Sequence, residues 1–454
     1  MPRTDTSNRI EMESKRLSLD ALGQMSKVEL QKHGYFTSEQ AELNFHLSPP
    51  GMMAFSSGRP AEELLRETSL LMQRATHQRF TEELADNCDL LQYGSLQGDP
   101  TYRIQMAKFL TRIYQSPVHS DNILCSAGAS QGLNFLSTHF FKKGDLVFVE
   151  DPTYFLALTA FRHDQQLNVV AVAKEDDGID TDDLEEKLSE HLGDRPAEDK
   201  RPFRSLLYLI PCFHNPTGSC TSIEKLKNIV KIARKYDLLV VCDDVYNMLS
   251  WQPADEGSPR KFKSPPRLFA YDNPADCDFK GNVVSNGSVS KFLAPGLRLG
   301  WIETSDRIID LIMKNQYLDS GGSFNHLTGG IVGTMLKMGL VDTHLDYVCN
   351  HFKANVDAMA KIFREEMPPG VKFNTPEGGY FFWVELPKSV DITKLSTLCK
   401  EKYEINFAPG RNFSSNPKFE KCIRLSYSYY PKERLADGAK RLCQAVKEVI
   451  GQAS

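Results

Sequence analysis

A lysine in the second half of the chain stands in unusual surroundings. Residues 285–301 read SNGSVSKFLAPGLRLGW, which places Lys291 just after Ser288 and Ser290 and shortly before Arg298. An amine that attacks a carbonyl carbon must be neutral, so burial or a neighbouring cation must lower its pKa. A packed strand end beside an arginine supplies both conditions, whereas an isolated lysine is normally a surface charge. The pattern therefore indicates a lysine that can act on a carbonyl group.

Polar and aromatic residues also follow other apolar runs. Residues 126–132 read SAGASQG, either an ordinary turn or a loop that presents N–H groups to an anion at a helix N-terminus. Tyr154 in EDPTYF either covers a planar ligand or caps the core. In FHNPTG, the proline that follows Asn215 fixes this amide residue. Asp243 and Asp244 end a very apolar strand. A buried acid there requires a charged or protonated partner, and the alternative is a solvated helix cap.

Strand-like runs alternate with helical stretches between about residues 100 and 310, which predicts an α/β fold with a mostly parallel sheet. In such sheets, ligands bind at the carboxyl ends of the strands, where the residues above are placed. The predicted strands are NILCSAG, DLVFVEDP, LNVVAVA, SLLYLIP, DLLVVCDD, NVVSNGS and LRLGWIE.

One connecting helix is predicted in detail. Thr221 and Glu224 form a plausible capping box, and the helix runs to about Tyr236. Its apolar residues recur at helical spacing. They are Ile223, Leu226, Ile229, Val230 and Ala233.

The chain is expected to divide into an N-terminal arm or part of the small domain (1–60), a large domain (61–330) and a small α+β domain (331–454). A helix near 310–350 is predicted to join the two domains. The sequence contains neither an internal repeat nor a low-complexity segment.

Composition narrows the class of protein. With 41% hydrophobic and 25% charged residues the chain is typical of globular proteins, and its net charge of −5, without a block of like charge, argues against a nucleic-acid partner. Ten cysteines without a Cys-x-x-Cys pair, and no signal-like or basic amphipathic start, favour the cytoplasm. No apolar run is long enough for a membrane span, and the eleven histidines form no metal-binding motif, so we expect neither membrane nor metal.

The motifs occur in an order that resembles a known family. YGSLQGDPTYR, SAGASQG, EDPTY, NPTG, DDVY, SVSKFLAPGLRLGW, PEGGYFFW and IRLSYS are similar to the pyridoxal-phosphate-dependent class I/II aminotransferases of fold type I, over about residues 55–430. Among these, the sequence most resembles 2-aminoadipate/kynurenine-type and broad-specificity enzymes. The resemblance implies pyridoxal phosphate as cofactor and a large domain with a smaller α+β domain.

The resemblance implies a role for each matching residue. Lys291 is the catalytic residue, which forms the internal aldimine and moves protons between the substrate Cα and the cofactor, and Asp243 pairs with the pyridine nitrogen. Asp244 has a structural role. Asn215 and Tyr246 bind the phenolic oxygen of the cofactor, and Tyr154 stacks on its ring. The phosphate is bound by Ala129, Ser130, Ser288, Ser290 and Arg298.

Other matches concern the substrate and the partner subunit. Tyr93 corresponds to a tyrosine that reaches the phosphate of the neighbouring subunit, which requires a homodimer with shared active sites. Arg424 binds the substrate α-carboxylate, and Asn215 is also a substrate-binding residue. Gly58 allows the N-terminal segment to approach the substrate. Arg59 departs from the family's frequent apolar residue, and we expect it to face solvent, the alternative being contact with a distal carboxylate.

The implied activity is ping-pong transfer of the amino group of an L-amino acid, 2-aminoadipate or an aromatic one, to a 2-oxo acid such as 2-oxoglutarate. Two alternatives are a pyridoxal-phosphate lyase, such as a cysteine-S-conjugate β-lyase or an aminocyclopropanecarboxylate-synthase-like enzyme, and a regulatory homologue. The regulatory homologue is disfavoured because the sequence has no basic helix-turn-helix extension and has a suitable residue at every position that the chemistry requires.

Overall fold

The computed structural model describes residues 52–86, 88–193, 201–258, 260–416 and 418–452. The predicted N-terminal arm lies outside these ranges except for residues 52–60. The described strands, in chain order, are β1 (Met53–Ala54), β2 (Ile123–Ser126), β3 (Leu146–Asp151), β4 (Asn168–Glu175), β5 (Gly178–Ile179), β6 (Ser205–Leu209), β7 (Leu238–Asp243), β8 (Val283–Ser288), β9 (Gly300–Thr304), β10 (Lys372–Phe373), β11 (Phe381–Glu385), β12 (Ile405–Asn406), β13 (Ala408–Pro409) and β14 (Cys422–Ser426).

The described α-helices flank these strands. They are α1 (Glu62–Ala85), α2 (Pro100–Tyr114), α3 (Ala129–Phe140), α4 (Phe155–Thr159), α5 (Thr181–Leu192), α6 (Ile223–Tyr236), α7 (Asp306–Ile312), α8 (Gln316–Gly321), α9 (His326–Lys337), α10 (Leu340–Glu366), α11 (Ile392–Glu401) and α12 (Lys432–Gln452). None of the helices in the described ranges combines the length and the apolar character that a membrane crossing requires.

The large sheet is mixed and mostly parallel, as predicted. Its order is β2-β9-β8-β7-β6-β3-β4-β5, in which β8, β7, β6, β3 and β4 are parallel neighbours while β2, β9 and β5 pair antiparallel. All seven predicted strands form. The register places Asp243 at the end of β7 opposite Asn286 of β8. The loops after these strands therefore meet at one edge of the sheet.

The second sheet, in the C-terminal part, is small and antiparallel, with the order β10-β11-β14-β13. Arg424 in β14 lies opposite Trp383 on one side and Ala408 on the other. Separately, β1 pairs in parallel with β12, so residues 53 and 54 lie beside residues 405 and 406. The antiparallel sheet agrees with the predicted α+β domain, while the boundary at residue 330 stays a prediction.

Two local predictions are wrong. The cap of α6 is Ser222 rather than Thr221, because the Ser222 hydroxyl accepts the hydrogen bond from the Lys225 N–H, and Ile223 is 52% exposed. The single helix expected near 310–350 is four helices, α7 to α10. Asn315 caps α8 by accepting a hydrogen bond from the Tyr317 N–H, and Asn325 before α9 has a left-handed φ of 56°.

Candidate active site

A cavity of about 530 Å³ opens at the carboxyl edge of the large sheet. It brings together residues from both sheets and from the segment before α1. All of the predicted site residues except Tyr93 line it. They are Gly58, Ala129, Ser130, Tyr154, Asn215, Asp243, Tyr246, Ser288, Ser290, Lys291, Arg298 and Arg424.

Lys291 ends the short 3-10 turn that follows β8. Its Nζ donates a hydrogen bond to the Gly58 carbonyl (3.2 Å) and lies 5.3 Å from the centre of the Tyr380 ring and 5.7 Å from that of Tyr246. Burial lowers the pKa of Lys291 to about 8, and the positive charge of Arg424 acts in the same direction. A substantial fraction of this amine is therefore neutral near physiological pH, as nucleophilic attack on a carbonyl requires.

Asp243 is buried at the end of β7. Its Oδ2 accepts a hydrogen bond from the Tyr208 hydroxyl (2.7 Å), whereas Oδ1 has no hydrogen-bond partner among the described residues. Burial raises the pKa of Asp243 to about 6, and the Tyr208 hydroxyl opposes this shift. The free carboxylate oxygen can therefore bind a protonated nitrogen. Asp244 lies outside the cavity wall and accepts a hydrogen bond from Ser285.

The start of α3 forms a cradle for an anion. Gly128 precedes the helix with φ +89°, and a Cβ at this position would lie 3.2 Å from Nη2 of Arg298. The hydroxyls of Ser288 and Ser290 are hydrogen-bonded to each other (2.8 Å) on the same wall. A helix N-terminus, two hydroxyls and an arginine together suit a phosphate group.

Arg424 is buried on the opposite wall, between aromatic rings. Its guanidinium lies 4.0 Å from the centre of the Phe381 ring, and it donates hydrogen bonds to Oδ1 of Asn215 (2.8 Å) and to the Ser56 carbonyl (2.8 Å). Its Nε has no partner in the described part of the chain. Burial lowers the pKa of Arg424 to about 10, so the group remains a cation at neutral pH. A buried cation of this kind suits a carboxylate.

Two tyrosines and a glycine complete the walls. Burial raises the pKa of the Tyr154 and Tyr246 hydroxyls, so both are neutral hydrogen-bonding groups at physiological pH. Gly58 brings its backbone against Phe381, because a Cβ at this position would lie only 2.9 Å from Cζ of that ring. The small residue therefore permits close packing against Phe381, and the predicted approach to the substrate stays a prediction.

Tyr93 is the predicted residue that lies outside the cavity. It is 80% exposed and borders a separate cleft with Arg79, Glu82 and His326. Within the described chain it contacts neither the cradle nor Lys291. The predicted role of Tyr93 concerns a neighbouring subunit. Its position within one chain does not test that role, which stays a prediction.

Sequence reasoning missed several residues of the site. Tyr208 supports Asp243, and Tyr380 donates from its hydroxyl to the Lys291 carbonyl (2.6 Å). Phe381 and Ser56 hold Arg424. A signal was present for Tyr208, the one residue with a polar tip inside the apolar run LLYLI, and for Tyr380 and Phe381, which lie in the quoted PEGGYFFW motif.

Comparisons with known proteins agree with this geometry. The family described as aminotransferase class I and II matches residues 20–442. Aromatic-amino-acid aminotransferase 1 of Thermococcus litoralis is 30% identical over 418 residues, which cover 91% of this chain and 93% of that protein. The 2-aminoadipate transaminase of Thermus thermophilus is 31% identical over 402 residues, which cover 88% and 91%.

The crystal structure of Pyrococcus horikoshii kynurenine aminotransferase, in complex with PMP, superposes with a TM-score of 0.73 at 27% identity. The superposition covers 97% of this chain and 99% of that one. The shared fold, together with a family match over most of the sequence, accounts for the lysine, the buried acid and the anion cradle in one cavity. The chain therefore belongs to the class I and II aminotransferases, pyridoxal-phosphate-dependent enzymes of fold type I.

Proposed function

We propose that this aminotransferase moves the amino group of an L-amino acid, 2-aminoadipate or an aromatic one, to a 2-oxo acid such as 2-oxoglutarate by a ping-pong mechanism. The observation that carries the proposal is that Lys291, Asp243 and Arg424 line one cavity. A nucleophilic amine, a carboxylate for a protonated nitrogen and a guanidinium for a carboxylate are the groups that amino transfer from an amino acid requires.

The residues present fit pyridoxal phosphate. The unpartnered, buried Oδ1 of Asp243 would hold the protonated ring nitrogen, and the cradle around Gly128 would hold the phosphate. The phosphate ligands would be the backbone at Ala129 and Ser130, with the side chains of Ser288, Ser290 and Arg298. Tyr154 would stack on the ring, and Asn215 and Tyr246 would bind the phenolic oxygen. When bound, pyridoxal phosphate supplies an electron sink for the electrons left at the substrate Cα.

Lys291 is the general base and acid of the reaction. Its amine takes the proton from the substrate Cα and returns a proton on the cofactor side, so it must be neutral in one step and charged in the next. Burial lowers the pKa of Lys291 to about 8, so both states are accessible within about one pH unit of that value. The hydrogen bond from Tyr380 to the Lys291 carbonyl holds the backbone from which this side chain extends.

Arg424 holds the substrate while Lys291 acts. Its guanidinium would pair with the α-carboxylate, and the contacts with Asn215 and Ser56 fix its orientation. The same contacts connect the two sheets, because Asn215 follows β6 and Arg424 lies in β14. A substrate held in this way would present its α-carbon to the lysine.

The donor preference is supported by the relatives. One is an aromatic-amino-acid aminotransferase and another a 2-aminoadipate transaminase. The cavity wall also includes Leu133, Phe155 and Leu156, which suit an apolar or aromatic side chain.

A homodimer with shared active sites is part of the proposal. Tyr93 and Tyr317 are 80% and 76% exposed, and Leu327 is also exposed. Tyr93 lies near Gly321 at the end of the helix that carries Tyr317. In the homodimer that the family resemblance implies, Tyr93 would reach the phosphate site of the partner subunit. Light scattering of wild type and Tyr93→Ala would test the assembly.

The cytoplasmic location of the protein stays a prediction.

The test of the activity is a two-substrate assay on the cofactor-loaded enzyme. Each candidate donor is mixed with 2-oxoglutarate, and both the new oxo acid and glutamate are measured, with Lys291→Ala as the inactive control. Equimolar products support the proposal. Release of pyruvate and ammonia from cysteine conjugates without an acceptor would instead indicate a lyase.

A further inference from the structure

Arg59 lies on the wall of the cavity rather than in open solvent, which corrects the expectation from the sequence. Its backbone carbonyl accepts a hydrogen bond from the Ser428 hydroxyl (2.7 Å). The preceding carbonyl, of Gly58, accepts the hydrogen bond from Lys291. The residue is therefore attached to backbone that contacts the reacting lysine.

The side chain of Arg59 is held in place by an aromatic ring. Its guanidinium carbon lies 3.9 Å from the centre of the Tyr429 ring, and the hydroxyl of Tyr429 donates to Glu62 (3.1 Å). Stacking of this kind uses the face of the guanidinium and leaves its N–H edges free. The contact with Tyr429 therefore fixes the guanidinium of a residue that borders the cavity.

Arg59 has no carboxylate partner within ion-pair distance among the described residues. Its Nε is buried and has no hydrogen-bond partner there. Glu62, the nearby acid, is engaged by Tyr429. A positioned guanidinium that lacks a carboxylate is a binding group for one.

We propose that Arg59 binds the side-chain carboxylate of dicarboxylic substrates and thereby sets a preference for them. The inference rests on the proposed binding of the α-carboxylate by Arg424. The segment 56–59 connects the two cations, since the carbonyl of Ser56 accepts from Arg424 and Arg59 follows three residues later. A molecule with carboxylates at both ends, such as a five- or six-carbon 2-oxo or amino diacid, can engage both guanidinium groups.

The test uses two unreactive five-carbon probes, glutarate and valerate, which differ in the second carboxylate. Binding to the cofactor-loaded enzyme is measured by titration calorimetry. We expect wild type to bind glutarate more tightly than valerate. Arg59→Leu should weaken glutarate binding by about 10- to 100-fold, the range expected for one charge-assisted contact, while valerate binding is unchanged. Arg59→Lys should weaken glutarate binding less than Arg59→Leu.

The matched control is Arg66→Leu, which removes an exposed arginine of α1 outside the cavity and should change neither affinity. Retained valerate binding by Arg59→Leu shows that the variant is folded and that Arg424 still acts. Equal affinity of wild type for both probes, or equal weakening of both in Arg59→Leu, would overturn the inference about Arg59. If the enzyme still catalyses transamination when the inference about Arg59 fails, the proposed function stands. If wild type catalyses no transamination, the proposed function itself is contradicted.

Discussion

Lys291 should titrate near pH 8 in the protein freed of its cofactor. At that pH an ordinary lysine, with a pKa of about 10.5, is only about 0.3% neutral, whereas a lysine with a pKa of about 8 is about half neutral. The structure therefore predicts that Lys291 has roughly a hundredfold more reactive amine than a surface lysine at pH 8. Burial is the main cause of the shift, and Asp243, ionised at this pH, opposes it.

Competitive labelling with acetic anhydride measures this titration. The rate of acetylation of each lysine is followed by peptide mass spectrometry from pH 6 to pH 11, with the surface lysines as internal reference. Asp243→Asn should move the midpoint of Lys291 down, because it removes the charge that favours the ammonium form. Arg424→Met should move it up, because it removes a positive charge. A midpoint near 10.5, or shifts of both variants in the same direction, would refute the reasoning.

Three further changes have defined outcomes. Tyr208→Phe removes the hydrogen bond that lowers the pKa of Asp243, so pyridoxal phosphate should bind roughly tenfold more weakly in a fluorescence titration. Arg424→Lys keeps the charge but loses the planar fork, and valerate affinity in calorimetry should fall about tenfold. Arg267→Met leaves Glu303 buried without its partner (2.7 Å), which should cost about 3–5 kcal/mol in urea unfolding. Adding Glu303→Leu should recover most of that loss, and no recovery would contradict the assignment to the ion pair.

The strands of the large sheet could be predicted because each is an apolar run ended by small or polar residues. The two-residue strands β1 and β5 could not. Strand β1 exists because residues 53 and 54 pair with residues 405 and 406, and nothing in either segment specifies a partner so far along the chain. The cap of α6 shows a finer limit, since Thr221 and Ser222 are adjacent candidates and only the backbone geometry selects Ser222.

The residues of the site also differ in how well the sequence predicts them. Lys291 and Asp243 could be proposed from the chemistry of their local motifs, and Arg424 from the resemblance of IRLSYS to a family motif. The sequence carried only a weak signal for Tyr208 and left two alternatives for Arg59, because the surroundings of both residues come from neighbours far away in sequence. Tyr208 matters through Asp243 on the adjacent strand, and Arg59 through Tyr429 in the C-terminal part.

The three principal groups of the site share one physical property. Burial shifts the pKa of Asp243 up and those of Lys291 and Arg424 down, so each is displaced towards its neutral form. A buried charged group gains more binding free energy from an opposite charge than an exposed group does. The reason is that folding has already removed the buried group from water, so binding does not add that desolvation cost. The cavity thus lowers the stability of the protein alone and raises its affinity for a cofactor with a cationic nitrogen and a substrate with an anionic carboxylate. The same burial that destabilises the site prepares it for an amino acid and its cofactor.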